Sequence, residues 1–286
     1  MSEAKITWAV FTKPWKMPLP ELGGFVSGLG FDGIELPVRP GYQVQPDNMD
    51  RELPEAARVL AGFGVRICSV ACPPAERAMA ACAEAGVPII RDGVVIGEEG
   101  YMATEAKVQK EYDRLAPLLD RYGVKLGVQN HCGGFVCNAM GLRHLIEKYD
   151  PKHIGAVLCL GHCALDGELP DMAIDIVWSH LAMIFLKNAY WRRANGPEAE
   201  FAEWDVYWTT GRQGLQSWPA VAEALKQRGY EGVINLNAEY TDEGSVNRLI
   251  AEDLAFAKSL FETSTAYARR KVAASIATGN EPASRQ

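Results

Sequence analysis

Several charged side chains stand at the ends of short apolar runs, where burial demands either a partner or a ligand. Glu35 follows Gly33-Ile34, Lys187 follows Ile184-Phe185-Leu186, and Glu239 lies within Asn237-Ala238-Glu239-Tyr240. A positioned carboxylate can take a proton from carbon, and a lysine can stabilise the negative charge that then develops on oxygen. These residue types therefore indicate acid–base chemistry next to a carbonyl group.

Other apolar runs end in further polar groups that suit a hydrophilic ligand. His131 and His162 end two of the runs, and Gln129 and Asn237 lie near the ends of two. The remaining polar or thiol groups at such ends are Thr12, Lys13, Cys72, Arg91, Asp92, Cys159 and Asn188. A buried histidine, or a lysine paired with a carboxylate, also serves purely structural roles, so a structural interpretation remains beside the functional one. We interpret Cys159 as inert core rather than as a nucleophile.

The pattern that must position these groups is an alternation of strands and helices. Eight strand-like runs recur about every thirty residues, the length of a βαβ unit. Helical stripes lie between the runs, the clearest at Val108, Tyr112, Leu115, Leu119 and Tyr122. The runs are Ile6–Thr12, Gly33–Val38, Val65–Cys72, Val87–Val95, Val124–His131, Ile154–His162, Leu181–Ala189 and Gly232–Tyr240. Eight such units predict an α/β fold, a (β/α)8 TIM barrel, whose strand ends form the active-site face.

Domain boundaries and connections follow from the same pattern. We predict one barrel domain over residues 1–265 and a C-terminal tail, helical or disordered, over 266–286. Glycine-containing turns precede several strands, and we interpret these glycines as C-caps that end the preceding helix. The longest stretch expected to be irregular is Trp191–Gln216. Its aromatic residues Trp204, Tyr207 and Trp208 predict either a lid over the pocket or a contact with a partner.

Composition excludes several classes of protein. The chain has 286 residues and a formal net charge of −7, and no block of basic residues that would favour nucleic acid. Because it lacks a signal-like N-terminus and an apolar run of about 18 residues, we expect no membrane association. The seven cysteines show no CxxC spacing, which favours reduced thiols in a cytoplasmic protein over a disulfide frame or a zinc site.

Several motifs in order along the chain resemble the xylose isomerase-like sugar phosphate isomerase/epimerase superfamily. They are Phe31-Asp32-Gly33-Ile34-Glu35-Leu36, Gly127-Val128-Gln129-Asn130-His131, Ile154-Gly155-Ala156-Val157-Leu158, Gly161-His162, Leu186-Lys187-Asn188-Ala189, Gly211-Arg212-Gln213-Gly214, Trp218-Pro219-Ala220-Val221 and Gly229-Tyr230-Glu231-Gly232. The resemblance spans about residues 6–262. It implies a (β/α)8 barrel, chemistry on sugars, polyols or their keto forms, and a homodimer or higher homo-oligomer.

The chain departs from this family at its metal site. The resemblance implies Glu, Asp, His and Glu ligands on strands five to eight, but Gln129, Cys159, Phe185 and Asn237 occupy those places. Hard divalent ions favour several carboxylate oxygens. We therefore predict that the usual metal site is lost and expect no cofactor. A shift of one residue in the alignment would bring His162 or Glu239 into the site, so a rearranged manganese, magnesium or zinc site is the alternative.

The function predicted from these residues is that of an isomerase or epimerase acting on a sugar or sugar derivative by proton abstraction next to a carbonyl. Without the metal, protein groups must replace the electrophile. We predict as catalytic residues Glu239 and Glu35 as bases, and Lys187 and His131 as donors. The residues predicted to bind the small polyhydroxylated substrate are Gln129, His162, Asn237, Trp191, Arg192 and Arg212. Trp191 and Arg192 follow strand seven and suit a sugar face and a carboxylate or phosphate.

Three alternatives share the same sequence features. One is a lyase or hydratase on keto-sugars, for which β-elimination of a 3-keto-glycoside requires a similar acid–base pair. Another is a sugar-binding barrel that has lost catalysis. Such a protein would also have lost the four metal-ligand positions. The third is a metal-dependent endonuclease, which the acidic net charge and the missing ligands disfavour.

Overall fold

The computed structural model describes residues 6–261, and eight of its strands close into a parallel barrel. Neighbouring strands pair in sequence order, and the last barrel strand pairs with the first through the register Thr7↔Val233. The barrel strands are β1 Thr7–Phe11, β2 Gly33–Pro37, β3 Arg66–Ala71, β4 Ile89–Gly93, β5 Lys125–Gln129, β6 Ile154–Cys159, β7 Leu181–Leu186 and β10 Val233–Asn237. All eight strands expected from the sequence are present, and the predicted (β/α)8 barrel is confirmed.

Helices connect the strands and cover the outside of the barrel. They are α1 Leu19–Leu29, α2 Met49–Ala61, α3 Glu76–Ala85, α4 Tyr101–Tyr122, α5 Ala139–Ile146, α6 Leu160–Leu165, α7 Pro170–Val177 and α8 Trp218–Gln227. A further helical segment covers residues 246–261. The stripe expected on α4 is the one that packs inward, with Tyr112, Leu115 and Leu119 buried. None of the helices in residues 6–261 combines the length and apolarity that a bilayer crossing needs.

The barrel interior is filled by side chains and forms a closed floor. A cluster of buried residues from three strands, β4, β6 and β7, occupies it, namely Ile89, Val157, Cys159, Met183 and Phe185. A larger cluster on the outer side of the strands packs against the helices. Strands covered on both faces are almost continuously apolar, which explains why the sequence shows runs rather than alternation. Since the interior is packed, a ligand of the barrel itself binds outside this packed layer, at the carboxyl ends of the strands.

Two glycines occupy positions that disfavour a side chain, one because of its backbone conformation and one because of a close approach. Gly30 ends α1 with φ +90°, a left-handed conformation that favours glycine, and its N–H donates to the Ser27 carbonyl. Gly161, at the start of α6, lies so close to β7 that a Cβ there would meet the Lys187 carbonyl oxygen at 2.6 Å. This close approach of Gly161 holds the backbone of Lys187 against α6, next to the predicted site.

The stretch Trp191–Gln216, expected to be irregular, instead contains most of an antiparallel hairpin, so that expectation was wrong. Strand β8 (Asn188–Arg193) pairs with β9 (Trp204–Thr209), and the Tyr190 and Tyr207 rings stack at 5.1 Å. Cross-strand aromatic pairs stabilise such ribbons, and this pairing depends on a contact that spacing along the chain does not reveal.

Two further expectations have different outcomes. All seven cysteines are free thiols, as the sequence analysis expects. The tail at 266–286 lies outside the described residues, so the domain boundary at 265 stays a prediction.

Candidate functional site

A cavity of about 290 Å³ lies at the carboxyl ends of the barrel strands. It brings together residues from β1, β2, β4, β5, β6, β7 and β10 or from the loops that follow them. Its lining consists of Phe11, Lys13, Arg39, Arg91, Asp92, Gly93, Val95, Gln129, His131, Phe135, His162, Lys187, Asn237 and Glu239. This volume is near the lower end for ligand sites and matches a small molecule rather than a polymer.

A larger and more open groove of about 640 Å³ lies on the outer flank, between the α6–α7 region and α8. Its lining includes Leu169, Leu215 and Ala220, and it contains none of the predicted site residues. Concave volume alone does not make a catalytic site, which also needs converging titratable groups. We therefore assign the functional site to the smaller cavity at the strand ends.

Glu239 lies between two lysines at one side of the cavity. Lys187 Nζ donates to Glu239 Oε2 at 2.9 Å, and Lys13 Nζ donates to the other carboxylate oxygen. Burial opposes ionisation of Glu239, but the two ammonium groups outweigh it and hold its pKa well below the ordinary value. Glu239 is therefore a stable anion that orients two cations, and with so low a pKa it is a weak base.

Lys187 is 6% exposed and is packed between elements that fix its ammonium group. Its Nζ lies 3.7 Å from the centre of the Trp208 ring, which belongs to β9 of the hairpin. The hairpin is anchored there because Thr241 Oγ1 accepts from the Trp208 N–H at 2.9 Å and the Thr241 N–H donates to the Trp208 carbonyl. Trp208 thus shields one side of Lys187 from water, as the lid interpretation of the aromatic stretch requires.

Glu35 does not line the cavity but lies beneath Arg91, which does. Arg91 donates from Nε and Nη2 to the two oxygens of Glu35, at 3.1 and 2.9 Å, and Ser69 Oγ donates to Oε1 at 3.0 Å. Glu35 is fully buried. Glu35 is closed off from the cavity and its carboxylate is engaged by three donors, so it holds Arg91 in place rather than acting on substrate.

His131 and His162 lie side by side in the cavity, with ring centres 4.0 Å apart. His131 Nδ1 lies 2.8 Å from the Cys132 carbonyl, which only accepts, so Nδ1 carries the proton. The Cys132 N–H donates to His162 Nδ1 at 3.2 Å, so in this ring Nε2 carries the proton. His131 Nε2 is consequently an acceptor and His162 Nε2–H is a donor.

Both imidazoles are held neutral. Burial lowers the pKa of His131, and the nearby Lys187 adds to the effect. Burial also lowers the pKa of His162 well below its ordinary value, with Lys187 and His131 contributing in the same direction. The neighbouring rings therefore form a complementary pair, one able to take a proton and one able to donate a hydrogen bond, near neutral pH.

Six of the ten predicted site residues line the cavity, and four do not. Those that line it are Glu239, Lys187, His131, Gln129, His162 and Asn237. Glu35 lies beneath it, and the other three are engaged elsewhere. Trp191 Nε1 donates to the Leu165 carbonyl at 3.1 Å, Arg192 lies over Tyr207, and Arg212 lies over Phe256. Trp191 and Arg192 fall outside because β8 turns away from the barrel into the hairpin, and Arg212 lies in the turn that follows β9.

Three cationic residues of the cavity were given no role by the sequence analysis. Lys13 and Arg91 stand among the polar strand ends noted there, so their position was the available signal. Arg39 follows β2 by two residues, just beyond the predicted end of that strand at Val38. Only the folding of the 39–44 loop, in which the Arg39 N–H donates to the Val44 carbonyl, brings Arg39 to the cavity.

The four positions at which the resemblance implies metal ligands do not suit a hard divalent ion. Cys159 is fully buried, and burial raises its pKa to about 11, so it remains a neutral thiol. Phe185 offers no donor atom, and its ring faces the Arg91 guanidinium at 5.6 Å. Gln129 and Asn237 supply neutral amides only. A set without one anionic oxygen is a poor match for manganese or magnesium.

A second group, His131, Cys132 and His162, has potential ligand atoms within 4.8 Å of one another, among the described residues. A ligating imidazole must present an unprotonated nitrogen. His162 Nδ1 already accepts the Cys132 N–H, so its other nitrogen carries the proton. Burial also raises the pKa of the Cys132 thiol, which disfavours the thiolate that zinc requires. This hydrogen bonding suits binding of a polar organic ligand better than binding of a metal.

Comparison with known proteins places the fold in one family. A model of the xylose isomerase-like TIM barrel matches residues 25–260. The structure of D-psicose 3-epimerase with D-tagatose from Clostridium cellulolyticum H10 is 16% identical, with a TM-score of 0.65 over 89% of this chain and 99% of that one. The 3-keto-D-glucoside 4-epimerase of E. coli is 14% identical, with a TM-score of 0.69 over 89% and 100%.

A third similar structure belongs to a protein of another reaction class. The probable 3-DHS dehydratase from Bacillus anthracis is 12% identical, with a TM-score of 0.62 over 87% of this chain and 98% of that one. No curated protein sequence matches this chain. Identities this low establish a shared fold, and the reaction must be argued from the residues of the cavity.

Proposed function

The chain belongs to the xylose isomerase-like TIM barrel family, and we propose that it is an isomerase or epimerase that moves a proton next to a carbonyl of a sugar derivative, without a bound divalent metal. The observation that carries this proposal is the Lys187–Glu239–Lys13 arrangement beside a neutral histidine pair in a cavity of monosaccharide size. It provides a fixed cation where an enolate oxygen would form and an unprotonated nitrogen able to accept the carbon-bound proton.

The proposed reaction begins with proton transfer to His131. Its Nε2 accepts the proton from the carbon next to the carbonyl, the C–H electron pair forms a carbon–carbon double bond, and the carbonyl oxygen becomes an enolate oxygen. Lys187 stabilises that oxygen, because an ammonium group held in place by Glu239 need not reorient as charge develops. His162 Nε2–H donates a hydrogen bond to a neighbouring substrate oxygen. Return of the proton from His131 to the same carbon, after the enolate has turned its other face to the imidazole, gives an epimer. Return of the proton to the former carbonyl carbon, while the hydroxyl proton of the neighbouring carbon moves to the enolate oxygen, gives an isomer.

Polar groups around this set suit the hydroxyl groups of a sugar. Gln129 and Asn237 are each nearly buried and present amide donors and acceptors to the cavity. The Asn237 side chain also donates to Glu239 Oε2 at 3.4 Å, which links a substrate-binding group to the cationic arrangement. Amide groups at these positions can donate and accept hydrogen bonds with sugar hydroxyls and add no charge to the site.

Deuterium exchange tests this proposal directly. In deuterium oxide, proton NMR of ketohexoses and keto-sugar acids with the protein should show loss of the signal from the hydrogen next to the carbonyl in at least one compound. We expect the rate to stay within about twofold after EDTA treatment, since Gln129, Cys159, Phe185 and Asn237 offer no carboxylate oxygen to a hard ion. Exchange that appears only with added manganese would contradict the metal-free mechanism. Binding without any exchange would identify a sugar-binding barrel instead.

The pH dependence of catalysis provides a test of His131 as the base. Because burial lowers the His131 pKa below its ordinary 6.5, we expect kcat/KM to be level above pH 6.5 and to fall at lower pH as the imidazole becomes protonated. His131→Gln should lower kcat by roughly a hundredfold or more and remove this acidic limb. His153 provides the matched control, because it lies just before β6, away from the cavity, and contacts Asp120. His153→Gln should leave the pH profile unchanged. An acidic limb retained in His131→Gln would assign the base elsewhere.

A further inference from the structure

We propose that the cavity binds an anionic group on the substrate, a carboxylate or a phosphate, through Arg39 with Lys13 beside it. This inference rests on the proposed function, since it specifies the class of sugar derivative bound at the same site. It differs from the sequence-based expectation, which gave the anion-binding role to Arg192, a residue whose guanidinium lies over Tyr207 on the hairpin.

The first observation is the balance of charge in the cavity. Four cationic side chains line it, Lys13, Arg39, Arg91 and Lys187, against two carboxylates, Asp92 and Glu239. Arg91 is neutralised from below by its bidentate pairing with Glu35. The single charge of Glu239 is shared by two lysines. The four cations therefore exceed the three carboxylates Glu35, Asp92 and Glu239 by one positive charge. The protein as a whole has a net charge of −7, so this excess is local to the cavity.

The second observation concerns Arg39 itself. Its side chain is half-buried at the cavity wall, and among residues 6–261 its guanidinium has no carboxylate within salt-bridge distance. Cationic side chains that are partly removed from water are usually paired. The planar guanidinium presents donors in a geometry that matches carboxylate and phosphate oxygens. An anionic ligand would therefore supply the partner that the protein does not.

The third observation is that the loop carrying Arg39 is fastened beside Lys13. The Arg39 N–H donates to the Val44 carbonyl at 3.2 Å, and the Tyr42 N–H donates to the Arg39 carbonyl at 3.2 Å. Tyr42 Oη donates to the Lys13 carbonyl at 3.0 Å, which joins this loop to the segment after β1. The backbones that carry these two positively charged residues are thus held in place before a ligand arrives, which reduces the entropic cost of binding.

Binding measurements with paired anionic and neutral compounds test this inference. Isothermal titration calorimetry would compare D-gluconate with D-glucitol, and D-fructose 6-phosphate with D-fructose. We expect one anionic compound to bind at least about tenfold more tightly than its neutral partner, with the difference shrinking at high salt. The pair that shows the preference identifies the bound group as a carboxylate or a phosphate.

Variants of Arg39 assign the effect to this residue. Arg39→Gln should weaken binding of the preferred anion by about tenfold or more while changing affinity for its neutral partner by less than about twofold. Arg39→Lys, which keeps the charge but loses the planar donors, should fall between the parent and Arg39→Gln. Arg58→Gln, which removes the same charge from the exposed face of α2, is the matched control and should bind as the parent does.

Two results would overturn the inference. One is equal affinity for the anionic and neutral compounds in both pairs, and the other is unchanged anion binding in Arg39→Gln. Neither result bears on proton exchange, which is measured separately with ketohexoses. Conversely, preference for an anion without any exchange would support the anion site while contradicting the proposed function.

Discussion

Lys187→Met is expected to lower kcat for proton exchange by roughly a thousandfold while leaving substrate affinity within about tenfold. The reason is that the Lys187 ammonium is nearly buried and held at 2.9 Å from Glu239, with Trp208 covering one side. A cation so placed stabilises an enolate oxygen far more strongly than the ground-state carbonyl, so its loss acts mainly on the transition state. Deuterium exchange under substrate saturation measures kcat, and calorimetry measures affinity.

Two controls separate this effect from a general loss of structure. Lys125→Met removes a strand-borne lysine at the opposite, amino-terminal end of the barrel, on β5, and should keep full exchange activity. Methionine has nearly the length of lysine, and Glu239 retains Lys13 as a partner, so the melting temperature of Lys187→Met should remain near that of the parent. Exchange by Lys187→Met within tenfold of the parent rate would show that another group is the electrophile.

The second large effect is expected on stability. Glu35→Leu should destabilise the protein by about 3–5 kcal/mol, because it leaves the Arg91 guanidinium largely buried without its bidentate partner. For a domain of this size that corresponds to a fall in melting temperature of about 10 °C. Calorimetric or circular dichroism melts measure it directly.

The double variant Glu35→Leu/Arg91→Met should recover most of this loss. Replacing a buried ion pair with apolar residues of similar volume is often close to neutral, whereas removing one partner leaves an uncompensated charge. The exposed Asp50–Arg77 pair serves as the control, since Asp50→Asn should leave the melting temperature unchanged within error. If Glu35→Leu melts as the parent does, then Arg91 is not held by this carboxylate and its place in the cavity needs another explanation.

Much of the barrel could be predicted because its strands carry their own signal. A parallel strand buried on both faces must be almost wholly apolar, as β6 is along Ile154–Cys159, and eight such runs at regular spacing allow few other arrangements. The hairpin of β8 and β9 could not be predicted in this way. Its stability depends on contacts across the ribbon, such as Tyr190 with Tyr207, between residues seventeen positions apart.

The same distinction applies to the site, where the positions of residues were predictable and their roles were not. Lys187, His131 and Glu239 were identified because a polar residue at the end of an apolar run is conspicuous, and in a barrel every such end faces one mouth. Their roles were not predictable, since these depend on neighbours from distant parts of the chain. Sequence position alone suits Glu239 to be a base, whereas the two lysines at its oxygens make it a strongly held anion. Sequence position suits Glu35 to the same role, whereas Arg91 and Ser69 both donate to its buried carboxylate.

The sequence by itself determined the barrel and the end at which the polar residues gather. These follow from the periodicity of burial and from residue type, both of which are local properties. Tertiary structure alone decided which nitrogen of each histidine is free, which carboxylate serves which cation, and that Arg39 rather than Arg192 reaches the cavity. Those properties depend on distances of a few ångströms between side chains from different strands and loops, and spacing along the chain does not encode them.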